Sequence, residues 1–133
     1  YTYLRPNHGA KFGPQKYVNS DLMDYCKVRG LTLLAYSPLL SGAYSSRQDR
    51  SIHEHYLGKD TDERICALKK VADDIYATPG QVVLAWFRKH SPLTIPLVAG
   101  STPEQMEENY GALEIELSEE QMTFLNEAGA LKT

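Results

Sequence analysis

The sequence predicts an α/β protein with parallel strands, and this chain of 133 residues supplies only part of the fold. Two observations predict that class. Short apolar segments alternate with segments of helical periodicity, in the order strand, helix, strand, two helices, strand, two helices, which implies parallel pairing through right-handed crossovers. Two of the apolar segments end in small polar loops that lead towards helices. Three strands are too few for a closed barrel, which needs about 250 residues, so we expect one partial domain over residues 1–133.

The first third of the chain contains two predicted strands and one predicted helix. Residues 1–4 form the first strand. Ser20 is the predicted N-cap of a helix over residues 21–29, and Gly30 ends that helix. The apolar run at residues 31–36 is the second strand, which we expect to be buried.

The rest of the chain is mainly helical. Residues 61–77 repeat apolar side chains at spacings of three and four, which predicts an amphipathic helix. Thr78, Pro79 and Gln81 form a helix-start pattern, and the apolar body that follows predicts a helix packed between other elements. The remaining predicted elements are a strand over residues 93–98, a helix from residue 103 to about 112, and a last helix after Ser118.

Composition and charge exclude several classes of partner. The net charge of −3 and the pI near 5.8 give no electrostatic basis for binding nucleic acid or an anionic membrane. No apolar run approaches the roughly 20 residues that span a bilayer. Cys26 and Cys66 lack metal-ligand or CxxC spacing, so we expect them to pack on helix faces in a cytoplasmic protein. The sequence His53-Glu54-His55 has no third ligand in view, so we predict no metal site.

Two strand-to-loop junctions are the candidate functional features. The first is Ala35-Tyr-Ser-Pro-Leu-Leu-Ser-Gly42, and the second is Ile95-Pro-Leu-Val-Ala-Gly-Ser-Thr-Pro-Glu-Gln105. Loop amides and a helix N-terminus at the ends of parallel strands can form a shared anion site. Each signal has a simpler reading: Tyr36 could be a core aromatic at a strand end, and the second junction could be only a capped helix start.

At these junctions the chain resembles the aldo-keto reductases, which are (β/α)8 barrels that reduce carbonyl compounds with NADPH. The resemblance is carried, in register, by residues 35–42, 78–87, 95–109 and 111–118. It implies that residues 1–4, 31–36 and 93–98 are the sixth, seventh and eighth barrel strands. The chain would then be the C-terminal portion of a TIM barrel, with about three β/α units.

The resemblance implies an NADPH site. Tyr36 would lay its ring against the nicotinamide. Groups of the following loop would bind the pyrophosphate, with a basic side chain closing over it: Ser37, Leu39, Ser41, Gly42 and Arg47. Groups at the second junction would bind the 2′-phosphate, ribose and adenine: Ser101, Gln105, Glu108 and Asn109.

One departure from the family pattern affects the choice of cofactor. Many relatives place Lys or Arg beside the 2′-phosphate, whereas this chain has Ser101 and Thr102. Hydroxyl groups and a helix N-terminus can hold a phosphate, but Glu104 in the first helical turn opposes its charge. The resemblance therefore implies NADPH, with a weaker preference over NADH than a basic residue would give.

The resemblance also implies which groups the chain does not supply. The family's proton-transfer residues are an Asp, a Tyr, a Lys and a His from the first four strands, and no position here matches them. We therefore predict the NADPH-binding half of an oxidoreductase for a small carbonyl substrate, inactive by itself. The missing N-terminal half or another copy would be needed to close the barrel. The alternative is a non-catalytic nucleotide-binding or assembly module built from a half-barrel.

Overall fold

Five α-helices and a two-stranded sheet make up the part of the chain that the structure, a computed structural model, describes: residues 1–7, 10, 17–45 and 51–130. In chain order they are α1 (Ser20–Arg29), β1 (Leu33–Ala35), α2 (Lys59–Asp74), α3 (Pro79–Arg88), β2 (Thr94–Pro96), α4 (Pro103–Gly111) and α5 (Glu119–Glu127). Short 3₁₀ helices lie at Leu40–Gly42, Glu54–Tyr56 and Ala112–Glu114. None of the helices in these ranges has the length and apolarity that crossing a membrane requires.

The two strands run parallel, as the alternation of elements predicts. Leu33 lies opposite Thr94 and Ala35 lies opposite Pro96. The ladder continues one step further, since the Leu97 amide donates to the Ala35 carbonyl at 3.0 Å. The chain therefore leaves both strands at the same end of the sheet.

The prediction of a strand at residues 1–4 is wrong. The amino nitrogen of Tyr1 lies 3.3 Å from the Tyr36 carbonyl oxygen, beyond the carboxyl end of β1, so the segment does not run alongside that strand. The Leu4 amide donates to the Tyr44 hydroxyl at 3.1 Å, a side-chain partner that a sheet ladder would not use. Residues that follow β1, and not a neighbouring strand, hold this segment in place.

The sheet has one covered face and one open face. Ala35 and Thr94 are buried on the face towards the helices. On the other face Leu34 is 63% exposed and Ile95 is 45% exposed. The strand predicted at residues 31–36 is observed at Leu33–Ala35, and the expectation that it is buried is wrong for this second face, which nothing in the described part of the chain covers.

Helix α1 begins one residue away from the predicted cap. Asn19, and not Ser20, is the N-cap, because its side-chain oxygen accepts from the Leu22 amide at 3.0 Å. Gly30 ends the helix in the left-handed conformation at φ 63°, as predicted. Cys26 is buried on this helix as expected.

Helix α3 is the centre of the core. It packs against α2, β2 and α4, and its six successive residues Val82–Phe87 are all buried. This confirms the prediction from its continuous apolar run. The predicted packing role of Cys66 is wrong, because that thiol lies exposed on α2.

Candidate functional site

The loops that follow β1 and β2 lie at one end of the sheet. Tyr36 directly follows β1, and its ring is 63% exposed. Leu97, which directly follows β2, is held beside the end of β1 by its bond to Ala35. The aromatic ring at this junction is therefore a surface group, accessible to a planar ligand, and is not a core side chain.

The loop after Tyr36 has a strained backbone. Ser37, Leu40 and Ser41 have positive φ angles of 53°, 48° and 54°, and Gly42 follows at 88°. Each left-handed conformation costs a non-glycine residue about 1–2 kcal/mol. Such residues concentrate at ligand clamps, where the surrounding structure enforces them. This strain is not predictable from the sequence, because serine and leucine are not typical of left-handed backbone.

The strain changes which amides of this loop can reach a ligand. The Leu40 amide donates to the Ser37 carbonyl at 3.2 Å, and the Gly42 amide donates to the Leu39 carbonyl at 3.0 Å. Within the described ranges the amides of Ser37, Leu39 and Ser41 have no such partner. Leu39, at φ −101° and ψ 10°, is followed by left-handed Leu40, and turn conformations of this kind can direct successive amides towards an anion. Of the described loop residues assigned to the pyrophosphate, Gly42 alone has its amide already engaged.

The second junction forms the capped start of α4. Thr102 is the N-cap, and its hydroxyl accepts from the Gln105 amide at 3.3 Å. The Gln105 side-chain oxygen in turn accepts from the Ser101 amide at 2.7 Å. The cap thus uses the oxygen of Gln105 and the amide of Ser101. The amino group of Gln105 and the hydroxyl of Ser101 are the donors left for a ligand.

Glu104 places a negative charge at the same helix start. Its carboxylate accepts from its own backbone amide and from the Thr102 hydroxyl, and these hydrogen bonds lower the pKa of the carboxyl group. The group is fully exposed. A phosphate approaching the N-terminus of α4 would meet this carboxylate as well as the helix dipole.

Glu108 and Gln81 join α4 to the first turn of α3. The Thr78 hydroxyl donates to Glu108 Oε1 at 2.8 Å, and Gln81 Nε2 donates to the Glu108 carbonyl at 2.8 Å. Glu108 is therefore held against α3. Asn109 lies one helical turn after Gln105, on the same face of α4.

Gly80, in the first turn of α3, lies between the two junctions. A methyl group built on it would be 3.9 Å from Leu39 Cδ2 and 4.0 Å from Glu108 Oε1. The loop after β1 and helix α4 thus converge on α3. The pattern at Thr78–Gln81 predicts a helix start, but it does not predict this contact, which depends on tertiary packing.

Two further features of the sequence are Arg47, which the resemblance assigned to the pyrophosphate, and the His53-Glu54-His55 segment. Arg47 lies outside the described residues. His53 and His55 stack their rings at 4.4 Å in the loop before α2. Among the described residues, no three His, Cys, Asp or Glu side chains lie close enough to hold a metal ion.

The tie between α3 and α4 can be tested through the N-cap of α3. We expect Thr78→Ala to lower the free energy of unfolding by about 1–2 kcal/mol, because it removes both the cap and the bond to Glu108. Ser118→Ala is the matched control, since it removes the equivalent cap of α5 without a cross-helix partner. Urea denaturation would contradict the assignment if Ser118→Ala were the more destabilising variant.

Comparison with known proteins gives one consistent family. The profile of the Aldo/keto reductase family matches residues 10–130. The aldo-keto reductase str7 of Strobilurus tenacellus is 34% identical over 116 residues, which cover 76% of this chain and 34% of that protein. The aldo-keto reductase yakc of Schizosaccharomyces pombe is 29% identical over 120 residues, covering 80% of this chain and 35% of that protein.

A solved structure agrees with the family match. The crystal structure of a thermostable aldo-keto reductase in complex with the inhibitor epalrestat matches with a TM-score of 0.61 at 30% identity. The match covers 80% of this chain and 33% of that one, and its fold is the aldo-keto reductase TIM barrel. The chain spans about a third of the length of the curated relatives it matches. It belongs to the aldo/keto reductase family.

Proposed function

We propose that this chain is the dinucleotide-binding C-terminal portion of an NADPH-dependent oxidoreductase that reduces aldehydes or ketones to alcohols. One observation supports it above the others: the parallel register brings exposed Tyr36, the strained loop at residues 37–42 and the start of α4 to one end of the sheet. The name of the Schizosaccharomyces pombe relative specifies NADP(+), which supports the choice of cofactor.

In this proposal the chain binds and orients the cofactor, which supplies the hydride. The Tyr36 ring packs against the nicotinamide and leaves its other face open to substrate. The free amides of Ser37, Leu39 and Ser41 receive the pyrophosphate. Hydroxyl and amide groups at the second junction receive the adenosine end: Ser101, Gln105 and Asn109.

Proton transfer is proposed to need residues that this chain does not contain, since no position matches the family's Asp, Tyr, Lys and His. The open face of the sheet, where Leu34 and Ile95 are exposed, supports completion of the fold by further strands. Those strands would come from an N-terminal half or from another copy. The chain alone should then bind dinucleotide without turnover.

The direct test uses the purified chain with its intact mass verified. We expect saturable binding when the chain is titrated with NADPH and the fluorescence of the nicotinamide is measured. Addition of an aromatic aldehyde such as 4-nitrobenzaldehyde should leave the absorbance at 340 nm unchanged. Sustained NADPH oxidation would refute the proposed lack of a proton donor, and an absence of dinucleotide binding would refute the site.

A pair of variants tests the two ends of the cofactor separately. We expect Tyr36→Ala to weaken NADPH binding roughly threefold to tenfold, the scale of one lost aromatic contact, and to shift the nicotinamide emission. Gln105→Ala should weaken binding without shifting the emission. Tyr25→Ala removes a half-exposed tyrosine from α1 and serves as the control. Equal effects of Tyr25→Ala and Tyr36→Ala would contradict the stacking role.

The non-catalytic module is a second candidate because a second copy could cover the exposed sheet face. Sedimentation of the chain distinguishes the two functions when combined with the turnover assay. A stable dimer that binds dinucleotide, and gains no activity when an N-terminal half is added, would favour the module.

A further inference from the structure

A second concave site lies next to the loop after β1 but contains none of the residues assigned to the dinucleotide. It is a cavity of about 430 Å³ that shares no lining residue with the loop at residues 36–42 or with α4. The N-terminal segment, α2, the end of α3 and α5 enclose it, and its walls include Tyr1, Tyr3, Arg64, Trp86, His90 and Asn126. Its volume is within the range of small-molecule pockets, about 300–1,000 Å³.

Arg64 is a buried cation in this wall. The residue is 2% exposed, and burial lowers the pKa of its guanidinium. Its Nε donates to the Tyr3 carbonyl at 2.9 Å and its Nη1 donates to the Ala128 carbonyl at 3.0 Å. A guanidinium carries five N–H donors, and within the described residues nothing accepts from Nη2. No described carboxylate pairs with this charge.

The charges around the cavity favour an anion. Arg5 and Lys89 also line it, and its described lining contains no Asp or Glu. Lys89 lies 3.4 Å from Glu119 Oε1, so its charge is largely committed elsewhere. Among the described residues, Arg64 and Arg5 are the lining cations without such a partner. A buried charge of this kind is stabilised by an oxyanion that forks onto the guanidinium.

The remaining wall is aromatic. The Arg64 guanidinium lies 4.0 Å over the Tyr3 ring, and the Tyr3 and Trp86 rings meet edge to face at 5.4 Å. Tyr1 extends the wall: its ring centroid lies 6.1 Å from that of Trp86 and 5.9 Å from that of Tyr17. Such a surface favours a flat apolar group beside the anion.

We propose that this cavity binds a small aromatic carboxylate, with the carboxylate on Arg64 and Arg5 and the ring against Tyr1 and Trp86. The proposal goes beyond dinucleotide binding, because the two sites share no residue. Its lining nevertheless touches the loop after β1, since the Tyr1 amino group contacts the Tyr36 carbonyl and the Thr2 hydroxyl donates to the Pro38 carbonyl. Benzoate binding and NADPH binding are therefore measured separately, so that failure of one is distinguishable from failure of the other.

Trp86 is the single tryptophan of the chain and lies in the cavity wall, so its fluorescence reports on binding. Benzoate, titrated in the absence of dinucleotide, should quench this emission saturably. Benzamide, which has the same ring without the charge, should bind at least fivefold more weakly. Inorganic phosphate should neither quench the emission nor displace benzoate at equal concentration.

Each alternative result overturns the proposal in a defined way. If benzoate gives no saturable signal by fluorescence or calorimetry, the cavity is not a carboxylate site. Equal affinity for benzamide would remove the role of the charge. Effective competition by phosphate would make this a general oxyanion site without an aromatic preference.

Variants locate the binding on the named cations. Arg64→Met should abolish benzoate binding, but Arg64 also donates to two backbone carbonyls, so its loss can disturb folding. The second variant is therefore made at Arg5, which is exposed. Arg5→Gln should weaken benzoate binding about threefold without changing the far-UV circular dichroism or NADPH binding. Lys69→Gln, an exposed charge change on α2 outside the cavity, is the control. An unchanged affinity in Arg5→Gln, or an equal loss in Lys69→Gln, would refute the assignment.

Discussion

Phe87→Ala is expected to lower the free energy of unfolding by about 3–5 kcal/mol. Phe87 is 0% exposed and lies in α3, the helix that contacts α2, β2 and α4. Its ring meets those of Trp86 at 5.1 Å and Tyr1 at 5.9 Å, so truncation leaves a cavity among rigid aromatic neighbours that cannot collapse freely. Urea denaturation followed by circular dichroism measures the effect.

Phe124→Ala provides the matched control on α5. Phe124 is 42% exposed, and its main recorded partner is the Lys70 ammonium 5.1 Å from the ring centroid. The same chemical change should therefore cost about 1 kcal/mol or less. If the two variants were equally destabilised, α3 would not be the centre of the core.

The helices were predictable from the sequence because their start signals are local. Thr78 with Gln81, and Ser118 with Gln121, form complete capping boxes in the structure, and both were visible as spacings of three residues. Gly30 ended α1 for an equally local reason, since only a residue that tolerates positive φ fits there.

The true conformation of residues 1–4 was not predictable from the sequence, because it depends on tertiary contacts. Residues 1–4 have the aromatic and β-branched composition of a strand, yet a strand needs a neighbour that continues its ladder. Tyr44 and Tyr36, both more than thirty residues away, supply the bonds instead. No local pattern distinguishes these two outcomes.

The candidate site was only partly predictable for a related reason. The junction motifs located Tyr36 and Gln105 by resemblance, whereas the left-handed Leu40 and the tie from Thr78 to Glu108 depend on how loops and helices meet. Arg64 was likewise missed, because apolar periodicity does not identify a buried cation whose partners are distant carbonyls.

Gly100→Ala is expected to weaken dinucleotide binding by displacing the start of α4. A Cβ at Gly100 would lie 2.8 Å from Met106 Cγ and 3.1 Å from the Met106 backbone nitrogen. The Met side chain can move, but its backbone nitrogen can yield only if the start of α4 shifts relative to the loop after β2. Overpacking of this kind costs about 1–3 kcal/mol, so NADPH binding should weaken roughly tenfold.

Gly80→Ala is the control, because it adds the same methyl group beside α4 without a clash. Its new Cβ would have ordinary contacts at 3.9 Å to Leu39 and 4.0 Å to Glu108, and alanine suits a helical position better than glycine. We therefore expect stability to be unchanged or slightly raised and NADPH affinity to be retained. Gly80 lies between Leu39 and Glu108, so added volume alone would also affect Gly80→Ala. Comparing Gly100→Ala with Gly80→Ala therefore shows whether binding requires the correct position of α4 or is only sensitive to an added methyl group. A tenfold loss in Gly80→Ala together with normal binding in Gly100→Ala would show that the dinucleotide enters along α3, and the proposed path from Tyr36 to the start of α4 would be wrong.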